Sequence, residues 1–330
     1  VSEQPSSHLE YGPDHTVVRI GSLDADQRLD RFLRKLLPRA TLGFLFKVID
    51  RGQVRVNGRK SPPRRRLLAG DRVRIPLARG EMDRLGRPIP ARPRGAADRA
   101  ASLHVLHEDD HLLVVDKPSG QSTHGGAKSL TGAARDYLGS KPGALTFRVA
   151  PAHRLDKETS GVVTFGKTPA AQRHLTATFR ERRAVKVYVA LVAGAPARSG
   201  TLRSRLLRKN RPSGPKMSVD SGGVEAETRF VRLATNGEVS LLELRPVTGR
   251  THQLRAQLAD HGHPILGDRR YGGPDSRRPG SSLGLNRLFL HAARLEIVHP
   301  GTGRPRTMKA RLPGDLRRVL RKLGFRPPGS

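Results

Sequence analysis

The chain has 330 residues, with 62 Lys and Arg against 29 Asp and Glu, for a formal charge of +33. A length of this order suggests two domains. The absence of any run of ~20 apolar residues excludes a helical integral membrane protein, and the absence of cysteine excludes a disulfide scaffold, Cys-ligated metal and a thiol nucleophile. A cation excess on this scale favours a polyanionic partner, nucleic acid first. A GC-rich coding bias would explain Arg over Lys, but not the two-to-one imbalance over acids. Aromatic residues make up only 4% of the chain and Trp is absent, so any stacking site must be built from few rings. No basic segment followed by an apolar stretch opens the chain, so the reading is a cytoplasmic protein.

Residues 1–25 are polar and are expected to be a disordered N-terminal segment. Residues 26–76 condense into a small basic unit. Leu29, Phe32, Leu33, Leu36 and Leu37 recur at helical spacing until Pro38, and a second stretch carries Leu42, Leu45, Phe46 and Ile49. Gln53–Val56 alternates and turns at Asn57-Gly58, and Asp71–Ile75 reads as another short strand. Two short helices and a basic β-ribbon suit phosphate contact rather than catalysis. With Arg28-Leu29-Asp30 opening the first helix and the run RGQVRVNG from Arg51 to Gly58, this unit resembles the S4 RNA-binding domain. That resemblance makes Arg28, Arg31, Arg51 and Arg55 its candidate RNA-binding residues.

Residues 77–100 are rich in Arg, Pro, Gly and Ala without an apolar period, the composition of a linker that would tether the small unit. Residues 101–324 alternate strand-like and helix-like segments without a regular βαβ repeat, predicting an α+β domain around a mixed or antiparallel sheet. His111–Val115, Val162–Phe165, Val185–Val192, Glu225–Leu233, Val239–Leu244 and Leu288–Val298 are its expected strands, and 325–330 is a tail. The basic stretch Arg203–Lys216 reads as a loop.

Two polar clusters stand out. PAHRLDKETSG, from Pro151 to Gly161, leads into an apolar strand and holds Asp156 between Arg154 and Lys157. Neighbouring cations favour an ionised carboxylate, which serves either as a reactive group or as half of a structural salt bridge. PVTGRTHQLRAQLADHG, from Pro246 to Gly262, predicts a helix capped by Thr251 with an apolar stripe at Leu254 and Leu258. It places Arg255 beside an apolar position, where a half-buried guanidinium needs a carboxylate such as Asp156.

The run His153-Arg154-Leu155-Asp156-Lys157-Glu158-Thr159-Ser160-Gly161 resembles the RluA-type pseudouridine synthase family. Val115–Gly120, Lys186–Gly194, Thr248–Arg255 and His263–Asp268 support it in the family's order. The resemblance implies isomerisation of uridine in RNA, with Asp156 as the catalytic aspartate, Tyr188 stacking on the target base and Arg255 pairing with the aspartate. Whether such an aspartate attacks the base, attacks the sugar or abstracts a proton stays open. Arg154 matches the position that either fills the space of a flipped nucleotide or contacts a phosphate. Leu254 is either pocket wall or helix stripe, and Arg250, Thr251 and His252 are candidates for touching the RNA backbone. No histidine is placed beside the aspartate.

The small domain, Thr123–Gly126 and Ser221–Phe230 look most like the RluC branch, whose members modify large-subunit ribosomal RNA. The expected partner is therefore RNA, with no membrane, no cofactor and a monomeric enzyme. Gly125–Ser129 lacks the glycine before lysine of a phosphate loop, and His261 and His263 lack a third ligand, so neither ATP nor a metal is expected.

Overall fold

The computed structural model describes residues 7–86, 103–139, 144–209, 216–273 and 280–328. They form two compact units. The first comprises Val1–Ser102, Ala133–Ala150 and Lys167–Gln172, and the second the remaining residues.

The small unit begins with β1 (His8–Tyr11) and β2 (Thr16–Arg19), followed by α1 (Leu29–Leu36) and α2 (Leu42–Asp50). β3 (Arg55–Val56), β4 (Arg59–Lys60), β5 (Arg72–Ile75) and α3 (Arg79–Leu85) complete it. Its antiparallel sheet has the order β1-β2-β5-β3-β4. Leu29, Phe32, Leu33 and Leu36 bury one face of α1, as the spacing predicts. On α2 the buried face is Leu45, Val48 and Ile49, while Leu42 and Phe46 are exposed. Thr41 caps α2 by accepting from the Phe44 amide. Asn57 and Gly58, at φ 52° and 76°, make the two-residue turn between β3 and β4. Two left-handed positions in succession are what an Asn-Gly hairpin turn supplies.

Three expectations at the edges of this unit need correction. Residues 8–19 are not disordered: β1 and β2 join the sheet, and Val18 and Ile20 lie fully in the core. Their order comes from pairing with β5, more than fifty positions on, which no local pattern reveals. Farther along the same segment, Asp24 accepts hydrogen bonds from the amides of Leu145, Thr146 and Phe147. The unit therefore gathers chain from both sides of the linker. Of the linker itself, Arg79–Leu85 is helical, with Leu77 and Met82 buried, because Glu81 caps the helix through the Ala78 amide. Residues 87–100 lie outside the described residues, as do 1–6.

The large unit contains β6 (Val105–Glu108), β7 (Leu112–Lys117), β8 (Ser160–Gly166), β9 (Val185–Ala193) and β10 (Ser199–Lys209). It continues with β11 (Lys216–Val219), β12 (Val224–Thr235), β13 (Val239–Pro246), β14 (Leu290–Val298) and β15 (Pro305–Lys309). Of the helices after α3, α4 (Leu130–Leu138) falls mostly in the small unit, while most of α5 (Pro169–Arg180) and all of α6 (Gln253–Asp260) and α7 (Gly314–Lys322) belong to the large one. The sheet runs β11-β10-β12-β13-β9-β14-β8-β7-β6, with β15 on β14. It is antiparallel except for β14 against β8, so the mixed α+β expectation holds.

At that parallel contact a Cβ on Gly161 would stand 2.2 Å from the Ala292 carbonyl oxygen, and its φ is 120°. The glycine closing the Asp156 motif is thus required by the approach of two backbones. The main core gathers Leu191, Leu241, Leu244, Leu254, Phe289 and Leu316. Phe325 packs against this core and its amide bonds to the Leu320 carbonyl, so the supposed tail is partly structure. Arg203–Lys209 is strand rather than loop, held by β12, and 210–215 lie outside the described residues.

Candidate active site

Asp156 sits on the loop between Pro151 and β8, and the chain on either side of it is pinned. Thr123 donates its hydroxyl to the Leu155 carbonyl and accepts from the Leu155 amide. Lys117, fully buried, donates to the carbonyls of Pro118, Gln121 and Lys157 at 2.8, 2.7 and 3.1 Å. Burial pulls the Lys117 ammonium down to about 8, and three carbonyl acceptors satisfy its donors. Residues 155 and 157 are therefore fixed to the turn after β7, while the Asp156 side chain is left to project.

It projects into a cleft of about 510 Å³, within the size range of small-ligand sites. β9 supplies Tyr188, whose register neighbours are Leu244 of β13 and Ala292 of β14. Burial, and then the Asp156 charge, raise the tyrosine's pKa and keep it a neutral phenol. α6 supplies Leu254 and Arg255. The residue preceding this helix is His252 in a left-handed conformation, φ 51°, rather than Thr251 as a side-chain cap. Buried Gln253 holds this turn by accepting from the Thr248 hydroxyl and Arg250 amide and donating to the Glu227 carbonyl.

Arg255 is 6% exposed. Its Nε and Nη2 donate to the two oxygens of Asp268, each at 2.8 Å, while Nη1 lies 3.7 Å from Asp156 Oδ2. The carboxylate anticipated as its partner is the farther of two. Burial opposes the Asp268 anion, but the Arg255 bonds, aided by the Arg270 and Tyr271 amides, outweigh it and lower its pKa. A bidentate pair of this kind fixes the guanidinium plane, and so aims the remaining nitrogen at Asp156.

The cleft's cations are Arg154, Arg180, Arg182, Lys186, Arg250 and Arg255, and Asp156 is the one carboxylate among the described lining residues. The structure thus brings Asp156, Tyr188, Arg255, Arg154, Leu254, Arg250 and His252 together around one space. Arg154 and Arg250 are exposed, Leu254 belongs to both wall and core, and Arg250 also donates to the Glu225 carbonyl. One expectation fails: a histidine does stand beside the aspartate, with His252 Nε2 3.8 Å from Asp156 Oδ1. Sequence reasoning also passed over Asp268 and Tyr271. Tyr271 lies under the Arg255 guanidinium at 5.1 Å and bonds His252 through its hydroxyl. The signal for Asp268 was present, since a buried arginine needs a close carboxylate; Tyr271 carried none.

In the small unit Arg31, Arg51 and Arg55 are exposed, whereas Arg28 is tied to Asp30.

One cluster has metal-ligand chemistry. Ligating atoms of His107, Asp109 and His299 lie within 4.8 Å of one another. His299 Nδ1 accepts from the Gly301 and Thr302 amides, so its proton sits on Nε2 and is donated to Asp109 at 2.8 Å. A metal would have to displace that proton, so the donor set fits a hydrogen-bonded tie better than a cation site.

Residues 111–260 match the family model described as RNA pseudouridylate synthase. The chain is 36% identical over 313 residues to "Ribosomal large subunit pseudouridine synthase C" of Vibrio vulnificus (strain CMCP6), covering 93% of this chain and 97% of that one. The protein of the same description from Escherichia coli (strain K12) is 36% identical over 325 residues, at 94% and 97% coverage. Among solved structures, "Human RNA Pseudouridylate Synthase Domain Containing 4" aligns with a TM-score of 0.60 and 26% identity, over 72% of this chain and 99% of that one. With nearly the full length of both chains aligned at this identity, the protein belongs to the RluA/RluC-like family of RNA pseudouridine synthases, isomerases that act on RNA.

Proposed function

We propose that this enzyme converts specific uridines of large-subunit ribosomal RNA to pseudouridine, with Asp156 as the reacting carboxylate. The observation that carries the assignment is a carboxylate, the one among the described lining residues, in a cation-lined cleft beside a neutral tyrosine and a fixed arginine. The large-subunit target follows the names of the 36%-identical relatives.

The isomerisation breaks the bond between C1′ and N1, turns the base, and joins C1′ to C5. A proton leaves C5 and one arrives at N1, so the balance closes without an oxidant or a cofactor. Asp156 supplies the negative oxygen, whichever atom it engages. Arg255, held by Asp268, faces it at 3.7 Å, and the Tyr188 ring lies against the uracil, a contact that tolerates rotation of the base.

The target nucleotide must leave its stack, at a cost of about a few kcal/mol. Arg154 at the mouth takes the vacated space, Leu254 walls the pocket, and Arg250 and His252 border the RNA. The small unit serves as an S4-like module that meets phosphates through Arg31, Arg51 and Arg55, with Arg28 adjoining them. A ribosomal RNA substrate supports a cytoplasmic enzyme.

The test is tritium release from RNA labelled at uridine C5. The wild type should release tritium without added cofactor, and Asp156→Asn should release none while binding RNA as tightly. Release at an unchanged rate by Asp156→Asn would refute the role of Asp156.

A further inference from the structure

Asp156 accepts no side-chain hydrogen bond among the described residues. Its two oxygens face Arg255 Nη1 at 3.7 Å and His252 Nε2 at 3.8 Å, both beyond hydrogen-bond length. What His252 offers to Asp156 depends on which ring nitrogen carries the proton, and a chain of directional bonds decides this.

The chain starts at the backbone. The Met217 amide, on β11, can only donate, and it donates to the Tyr271 hydroxyl oxygen at 3.0 Å. That oxygen lies 2.9 Å from His252 Nδ1. With the tyrosine proton directed to Nδ1, the imidazole proton sits on Nε2 and faces Asp156. The opposite tautomer would take the Nδ1 acceptor away from the half-buried Tyr271 hydroxyl proton and turn a bare nitrogen lone pair toward a carboxylate. Burial, with Arg255 and Arg270 nearby, holds the imidazole neutral against the pull of Asp156.

Two further observations mark the arrangement as built. His252 keeps φ 51°, a conformation that costs a non-glycine residue about 1 kcal/mol or more. The Tyr271 amide is itself tied to Asp268, the carboxylate that fixes Arg255.

We propose that Tyr271 is a positioning residue which, through its hydroxyl, fixes the Nε2–H tautomer of His252, so that Asp156 works between one neutral donor and one cation. The proposal rests on the assignment of Asp156 above. The remaining gaps are of the kind that close when substrate fills a site.

Tyr271→Phe removes the hydroxyl and keeps the ring against Arg255 and His252. Single-turnover isomerisation at saturating enzyme should fall about tenfold, the equivalent of one lost hydrogen bond in the transition state, with RNA affinity unchanged. In nitrogen-15 spectra of histidine-labelled protein, wild-type His252 should show an unprotonated Nδ1, and Tyr271→Phe should show a mixture of tautomers.

A wild-type Nδ1 that carries the proton, an unchanged single-turnover rate in Tyr271→Phe, or a loss seen in affinity instead of rate would each overturn the proposal. If wild-type protein released no tritium from labelled RNA, the functional assignment would fail, while the spectra would still report on the tautomer.

Discussion

Charge is handled in opposite ways by the two units. In the small unit the cations stand in solvent over an apolar core: Arg31, Arg51 and Arg55 are exposed, and Leu29, Phe32, Leu33, Val54 and Val73 fill the inside. In the large unit the charges that matter are buried and individually matched, Lys117 to three carbonyls and Arg255 to Asp268. Exposed charges are interchangeable and screened by salt, whereas a buried charge that loses its partner has no solvent to replace it. The first arrangement suits holding a polymer by its phosphates; the second suits aiming one group at one atom.

The largest effect should come from breaking a buried pair. Asp268→Asn leaves the Arg255 cation without its bidentate partner and should cost about 3–5 kcal/mol of stability in denaturant titration. It should also slow isomerisation, because the nitrogen facing Asp156 is no longer fixed. A change below about 1 kcal/mol would place this pair with ordinary surface bridges and remove the contrast between the units.

Acid should expose the same contrast. His291 is fully buried; Ser160 donates to its Nδ1, and Nε2 donates to the Ala310 carbonyl. Burial pushes its pKa down to about 4 from 6.5. Between those values the unfolded chain binds a proton that the native imidazole refuses, so stability falls as pH falls from 6.5 toward 4. The slope from this one residue is about 1.4 kcal/mol per pH unit. His291→Gln should flatten that part of the stability profile. A profile of unchanged slope would show that His291 is not the group that resists protonation.

The smallest effects belong to the exposed arginines. Arg31→Ala, Arg51→Ala and Arg55→Ala should each weaken RNA binding modestly and alike for different sequences. Each should also reduce the slope of log affinity against log salt by about 1. A variant that loses affinity with the salt slope intact would contradict a phosphate contact at that position.

These differences also explain what the sequence could tell. The stripe on α1 and the Asn57-Gly58 turn are local patterns and were legible, as were β7, β8, β9, β12, β13 and β14, whereas β10 and β11 were not. β1 and β2 were not, because their order depends on β5 from a distant stretch of chain. At the site, the family motifs brought out Asp156, Tyr188 and Arg255, and all three line one cleft. What stayed hidden were long-range pairings of side chains: Arg255 with Asp268, His252 with Asp156, and Tyr271 with the Met217 amide. None leaves a period or a composition bias. Even Thr251, a sound helix cap by residue type, gave way to a strained His252 one position later.

The most direct test of the central claim is a map of pseudouridines in large-subunit ribosomal RNA from cells lacking this gene, complemented with either wild type or Asp156→Asn. The account predicts that particular pseudouridines vanish, return with the wild type, and stay absent with Asp156→Asn although that protein still binds the RNA. Their return with Asp156→Asn, or a map that never changes, would contradict it.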